Sequence, residues 1–194
     1  MILYLHGFRS SPQSFKARLL DDRMRELGRA SEYSCPQLPA SPREAIGLVS
    51  ELISGFSPAE VALIGSSLGG YYATWLAERT GCRAVLLNPA VKPPRDLERY
   101  VGVTTMYHSD ERFEFRPDYI EELRRLEVIN VTRPERYFLV AAQGDEVLDW
   151  REMVAHYPGA TLRLIEGSDH GISDFGLYLD EVLAFCGVGA QAAN

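Results

Sequence analysis

The sequence predicts an α/β protein built on a mainly parallel sheet, and three observations carry that prediction. Six short apolar runs recur along the 194 residues, separated for the most part by stretches of helical spacing. Several of the runs lack polar alternation and are rich in Val, Ile and Leu, as strands covered on both faces are. The stretch G-S-S-L-G-G, Gly65 to Gly70, stands where one such run hands over to a helical pattern. Strand–helix repetition of this kind implies parallel neighbours joined by right-handed crossovers.

The expected strands are Ile2–Leu5, Ala30–Ser34, Val61–Ile64, Ala84–Leu87, Phe138–Ala142 and Thr161–Ile165, of which Ala30–Ser34 has the least strand character. Phe15, Leu19, Leu20, Met24 and Leu27 recur at helical spacing, with Gly28 as a stop. A second helix follows Ser41, where S-P-R-E supplies a cap, an N1 proline and a reciprocal Glu44. A third runs from about Leu68 to Arg79, and D-W-R-E at Asp149–Glu152 reads as another capping box. The last helix is expected over Phe175–Phe185.

Residues 1–187 read as one domain, with 188–194 as a frayed tail. The segment 89–136 breaks the rhythm, being longer than one crossover helix needs. It carries Tyr100, Tyr107, Phe113, Phe115 and Tyr119 and a helical pattern over Pro117–Leu126, and reads as a small excursion over the sheet's carboxyl edge.

Bulk properties narrow the function. With 46% hydrophobic and 24% charged residues, the chain has the balance of a soluble globular protein. A net charge of -7 argues against nucleic acid, which asks for a concentrated basic surface. Arg124, Arg125, Arg133 and Arg136 read as scattered solvated charges. No run approaches a membrane span, and the opening M-I-L-Y-L-H is too short for a signal peptide. Cys35, Cys82 and Cys186 lie far apart without a C-x-x-C pair, so free thiols in a reducing cytoplasm are expected.

The chemistry centres on Gly65-Ser66-Ser67-Leu68-Gly69, which fits G-x-S-x-G. A strand that reverses sharply into a helix strains the central residue, and small neighbours relieve the crowding. The hydroxyl of Ser67 then projects at a helix N-terminus, where the peptide dipoles favour developing negative charge. Ser66 is placed to bond locally or pack beside the turn.

A serine needs a base. His6 ends the first strand, His108 lies in the excursion and His156 falls at a helix end. His170, in G-S-D-H-G-I, follows the last strand at the edge where ligands meet parallel sheets, and is the chosen base. Its orienting carboxylate is expected at Asp145, just past the fifth strand in Q-G-D-E-V-L-D; Asp149 is assigned to the next helix cap, and Glu146 and Asp169 to solvent. The chain order Ser67, Asp145, His170 is one of the known solutions to this chemistry. The oxyanion donors are expected to be the backbone amides of Leu68 and of Phe8, with Gly7 admitting close approach and His6 structural.

Together L-H-G-F, G-S-S-L-G-G, G-D-E-V-L-D and D-H-G resemble the ordered signatures of the α/β-hydrolase superfamily. The start at L-H-G-F and the doubled tyrosine after G-S-S-L-G-G resemble the compact bacterial YqiA-like esterases, over nearly the whole chain to about Phe185. That resemblance implies a compact three-layer α/β-hydrolase fold whose six-stranded sheet lacks the first two strands of larger members, in the order 2-1-3-4-5-6, without a large lid. It implies Ser67 as nucleophile, Asp145 as acid, His170 as base, and the Phe8 and Leu68 amides as oxyanion donors. The implied activity is hydrolysis of short-acyl carboxylic esters, with acyl-coenzyme A thioesters as the near alternative.

Phe8, Phe113, Phe115 and Trp150 are candidates for an apolar acyl wall, and Tyr71 or Tyr72 for a pocket position. Arg9, Lys92, Arg95 or Arg112 would favour coenzyme A if they lined the mouth. A catalytically silent binding protein of the same fold is the rival class, and a serine peptidase is less favoured. No cofactor loop is legible, no H-x-x-x-H pair is present for a metal, and the expected partner is a small ester or thioester.

Overall fold

A computed structural model describes residues 1–105 and 112–189; Tyr107 and His108 lie outside the described residues. The strands are β1 (Ile2–Leu5), β2 (Tyr33–Ser34), β3 (Ala62–Ser66), β4 (Arg83–Leu87), β5 (Gly102–Thr105), β6 (Arg112–Phe115), β7 (Tyr137–Ala142) and β8 (Thr161–Ile165). Six of them form one sheet in the order β2-β1-β3-β4-β7-β8, every pair parallel, which is the expected 2-1-3-4-5-6. The helices are α1 (Phe15–Glu26), α2 (Pro42–Ile53), α3 (Leu68–Thr80), α4 (Pro93–Leu97), α5 (Pro117–Arg124), α6 (Trp150–His156) and α7 (Leu179–Phe185).

Strand alternation divides the core between the two sheet faces. Leu3, Leu5, Leu63, Leu86 and Leu139 pack with residues of α2, α3, α5 and α6. Ile2, Tyr4, Ile64, Val85 and Val140 pack with α1 and α7. The result is three layers, with the carboxyl ends of β1, β3, β7 and β8 brought to one edge. Each fully buried Leu or Ile contributes about 1.5–3 kcal/mol relative to exposure, so both faces are needed to hold that edge.

Local sequence explains where the elements depart from expectation. Ala30–Glu32 is a 3-10 turn closed by an Arg29–Glu32 ion pair, and only Tyr33 and Ser34 reach the sheet. Ser41 caps α2 by accepting from the Glu44 N–H at 3.2 Å, but the reciprocal carboxylate is Glu122 of α5, which accepts from Ser41 Oγ at 2.6 Å. Asp149 caps α6 as expected, while Glu152 turns away to Lys92 and Arg95. The last helix is split, because Phe175–Leu177 is a 3-10 turn before α7. Val188, assigned to the frayed tail, is buried and its N–H returns to Leu183 at 2.9 Å.

The excursion contains α4, the antiparallel hairpin β5–β6 and α5. The hairpin was not expected; V-T-T and R-F-E-F carry its period-2 signal, but each strand has only four residues. Its aromatic face clusters on Phe8, whose ring lies 5.0 to 5.5 Å from those of Phe115, Phe113 and Tyr100. Among the described residues, no helix is long and apolar enough to cross a membrane.

Candidate active site

The turn from β3 into α3 holds Ser67 at φ 54° and ψ -119°, a conformation L-residues rarely adopt. Such a position costs about 1–3 kcal/mol and persists only where its surroundings enforce it. Close packing is the enforcing cause here. A Cβ on Gly65 would run into the backbone of Gly69, and one on Gly69 into the carbonyl of Leu5. Both glycines are therefore required for α3 to start against the ends of β1 and β3.

The structure brings Ser67, His170 and Asp145 together across 103 residues of sequence. His170 Nε2 lies 3.1 Å from Ser67 Oγ, and His170 Nδ1 lies 2.8 Å from Asp145 Oδ2. The Asp145 side chain has no solvent exposure, and its Oδ1 accepts 2.8 Å hydrogen bonds from the Val147 and Leu148 amides. An ionised Asp145 only accepts, so Nδ1 carries the imidazole proton and Nε2 faces Ser67 as the acceptor.

Leu68 opens α3, so its amide has no acceptor within the helix, and it lines the cavity beside Ser67. Phe8 lines the same wall, and Gly7 lies against Ser67, its position for a Cβ being 3.3 Å from the serine Cβ. The cavity has a volume of about 670 Å³, within the range of small-molecule sites.

Three supporting residues escaped the sequence reading. Buried Asn88 directly follows β4; its Nδ2 donates to the carbonyls of Asp169 at 3.0 Å and His170 at 3.1 Å, and its Oδ1 accepts from Ala142 N–H at 2.8 Å. Glu146 and Asp169, assigned to solvent, hold the same loop. Glu146 accepts from the His170 N–H at 3.0 Å, and Asp169 accepts from the Ser173 N–H at 2.9 Å. The signal was present as L-N-P-A directly after a strand, at the edge where the site was expected.

His6 is fixed in a structural role. Its Nδ1 donates to the Gly7 carbonyl at 3.0 Å, and its Nε2 accepts from the Leu38 N–H at 3.0 Å. Burial pushes its pKa below the ordinary 6.5 and keeps it neutral. His156 ends α6 with its ring edge-on to Tyr157. Cys35 and Cys186 are half-buried and Cys82 is buried; burial pushes the Cys35 and Cys186 thiols up to about 12, which leaves them unreactive.

The apolar wall differs from expectation. Phe8 lines the cavity with Ala90, Pro93, Leu97, Tyr100 and Leu148. Phe115 is buried behind Phe8, and Trp150 stacks with Arg151 on α6. Tyr71 donates to the Leu123 carbonyl at 2.8 Å and packs α3 against the excursion. Of the arginines and lysine considered for the mouth, Arg95 lines the cavity and pairs with Glu152 together with Lys92, Arg9 donates to Thr105, and Arg112 lines a separate cavity. Among the described residues, no three His, Cys, Asp or Glu side chains converge to hold a metal ion.

A parallel 2-1-3-4-5-6 sheet with a strained serine turn after its third strand defines the α/β-hydrolase fold. Solved structures of that fold superpose along nearly the whole chain. A provisionally assigned hydrolase from Agrobacterium vitis S4 is 20% identical with a TM-score of 0.75, over 95% of this chain and 87% of that one. Mouse alpha/beta hydrolase domain-containing protein 10 is 17% identical with a TM-score of 0.69, over 94% and 89%. The esterase domain of a Rhodothermus marinus protein is 20% identical with a TM-score of 0.66, over 95% and 85%. The chain itself belongs to the uncharacterised protein family UPF0227, whose model matches residues 1–187, and this is the YqiA-like group that its motifs resemble.

Proposed function

We propose that the protein is a serine hydrolase that cleaves small carboxylic esters through an acyl-enzyme intermediate. The observation that carries the proposal is the unbroken hydrogen-bond relay from Ser67 through His170 to the Asp145 carboxylate, whose side chain is shielded from solvent. His170 Nε2 removes the Ser67 proton as Oγ attacks the acyl carbonyl. The Leu68 and Phe8 amides stabilise the oxyanion, each worth a few kcal/mol in the transition state. His170 returns the proton to the departing alcohol. It then takes a proton from water, which attacks the acyl carbon; collapse returns that proton to Ser67 Oγ and frees the acid.

Small esters are supported by the cavity's volume and by an excursion that contributes only short elements around it. The likeness to an esterase domain supports the same class. With Lys92 and Arg95 already paired to Glu152, the basic mouth that would favour coenzyme A is weakened. A panel of p-nitrophenyl esters from acetate to decanoate, assayed beside acetyl- and octanoyl-coenzyme A, tests the reading. Turnover should be greatest on short esters and vanish in Ser67→Ala. Thioester turnover exceeding ester turnover in kcat/KM would favour the thioesterase instead.

A further inference from the structure

The cavity also has a polar end, around Lys16, that the proposed chemistry does not use. Lys16, in the first turn of α1, is only 8% exposed and lines the cavity with Ser10, Ser14, Gly171 and Ser173. Its ammonium donates to the Gly171 carbonyl, the residue after His170. Among the described residues, no carboxylate shares a hydrogen bond with it. Asp145 is taken up by His170 and two amides, and Asp169 by Ser173. Asp169 and Asp145 ease the Lys16 charge through space but do not bond to it, so its ammonium has one direct, neutral acceptor and room for an anionic partner.

Ser14 supplies a second, independent observation. It stands at the N-cap of α1 without making the side-chain bond a capping serine ordinarily makes. Its Oγ is buried and, among the described residues, approaches only the Tyr4 phenol, without closing to a well-formed hydrogen bond. The fully buried Tyr4 lies at the back of this end, its phenol approached by the Ser14 and Ser66 hydroxyls. A cation, a hydroxyl without a well-formed hydrogen bond and a phenol thus line the cavity that also holds Ser67.

We infer that this end binds a carboxylate, so that the preferred substrates are half-esters of dicarboxylic acids, in which a free carboxylate pairs with Lys16 and Ser14 while the ester carbonyl meets Ser67. The inference rests on the hydrolase reading of the same cavity. A single charge fits better than a phosphate dianion, because among the described residues Lys16 is the cation that lines the cavity beside Ser14, and Asp145 and Asp169 already lie near it. Of the other cations lining the cavity, Arg95 is held by Asp96 and Glu152 and Arg99 lies over Tyr100. Burial also pushes the Lys16 ammonium down to about 8, a direction that a bound anion would oppose.

The test separates binding from turnover. Monomethyl glutarate and dimethyl glutarate are titrated calorimetrically at pH 7 into Ser67→Ala protein, which cannot form the acyl-enzyme. The half-ester should bind at least about 10-fold more tightly, as a charge-assisted pair implies, and Lys16→Met added to that background should abolish the preference. If Lys16→Met does not fold, Ser14→Ala must still reduce the preference. Equal binding of the two esters, or a preference that survives Lys16→Met, overturns the anion site. Hydrolysis of both esters by the parent protein is followed in parallel. A binding preference without turnover of either ester supports the anion site and contradicts the hydrolase reading; turnover without a binding preference does the reverse.

Discussion

Asn88 donates from Nδ2 to the His170 carbonyl at 3.1 Å, while its Oδ1 accepts from the Ala142 N–H at 2.8 Å. One buried amide thus joins the ends of β4 and β7 to the loop that carries the proposed base. Its own φ of 43° suits asparagine better than most residues. Asn88→Ala leaves the Ala142 amide without a partner and should cost about 1–3 kcal/mol of stability. Asn88→Asp keeps that acceptor but sets a charge against two carbonyls. Both variants should slow the reaction of Ser67 with an organophosphorus probe in samples shown by circular dichroism to be folded. Unchanged labelling rates would confine Asn88 to a stability role.

Asp145→Asn should leave the fold intact and lower kcat by about 10³–10⁴-fold. The amide no longer enforces the tautomer in which Nδ1 carries the proton, so Nε2 ceases to accept from Ser67. Steady-state kinetics on a short p-nitrophenyl ester reads this directly; a loss below about 10-fold would remove Asp145 from the relay.

Gly69→Ala tests the cause of the Ser67 strain. The added Cβ meets the Leu5 carbonyl, so either α3 or the end of β1 must shift. Overpacking of this kind typically costs about 1–3 kcal/mol and can cost more. A fall in thermal midpoint, with loss of probe labelling in whatever fraction stays folded, is expected. A midpoint equal to that of the parent would mean the backbone yields easily there.

His6 gives stability a defined pH dependence. Its folded pKa lies below 6.5, because burial disfavours the cation. The unfolded chain therefore binds the proton more readily, and stability is fully present above about pH 6.5 and declines as pH falls below it. His156 is shifted in the same direction by burial and adds to the slope. Urea unfolding between pH 5 and 7.5 should show this decline, and His6→Gln should flatten it. A slope identical in His6→Gln and the parent would contradict the neutral, bonded His6.

Much of this architecture was legible because it rests on local patterns. The apolar runs at Val61–Ile64 and Phe138–Ala142 are buried on both faces, and their composition says so without an alignment. Gly65, Ser67 and Gly69 mark a turn whose crowding is steric and short-ranged. Strand order is different in kind: it came from the resemblance, since spacing leaves the neighbours of each strand open. What stayed hidden are contacts between distant segments. Glu122 replaces Glu44 at the α2 cap, Glu146 reaches the His170 amide, and Asn88 ties loops more than 50 residues away, as its bond to Ala142 shows. None of these has a periodic signal. Lys16 belongs to no motif, and only the fold turns it into the cavity. Ala30–Glu32 was misread because a short run with Ala, Ser and Glu has little strand preference, and the Arg29–Glu32 pair favours the turn.

The central claim is that Ser67 is an activated nucleophile, and intact mass after exposure to a small fluorophosphonate tests it most directly. The account predicts one adduct on the parent protein and none on Ser67→Ala, with the phosphonyl group replacing the Ser67 hydroxyl proton. A folded parent that stays unlabelled, or an adduct that persists in Ser67→Ala, would contradict it.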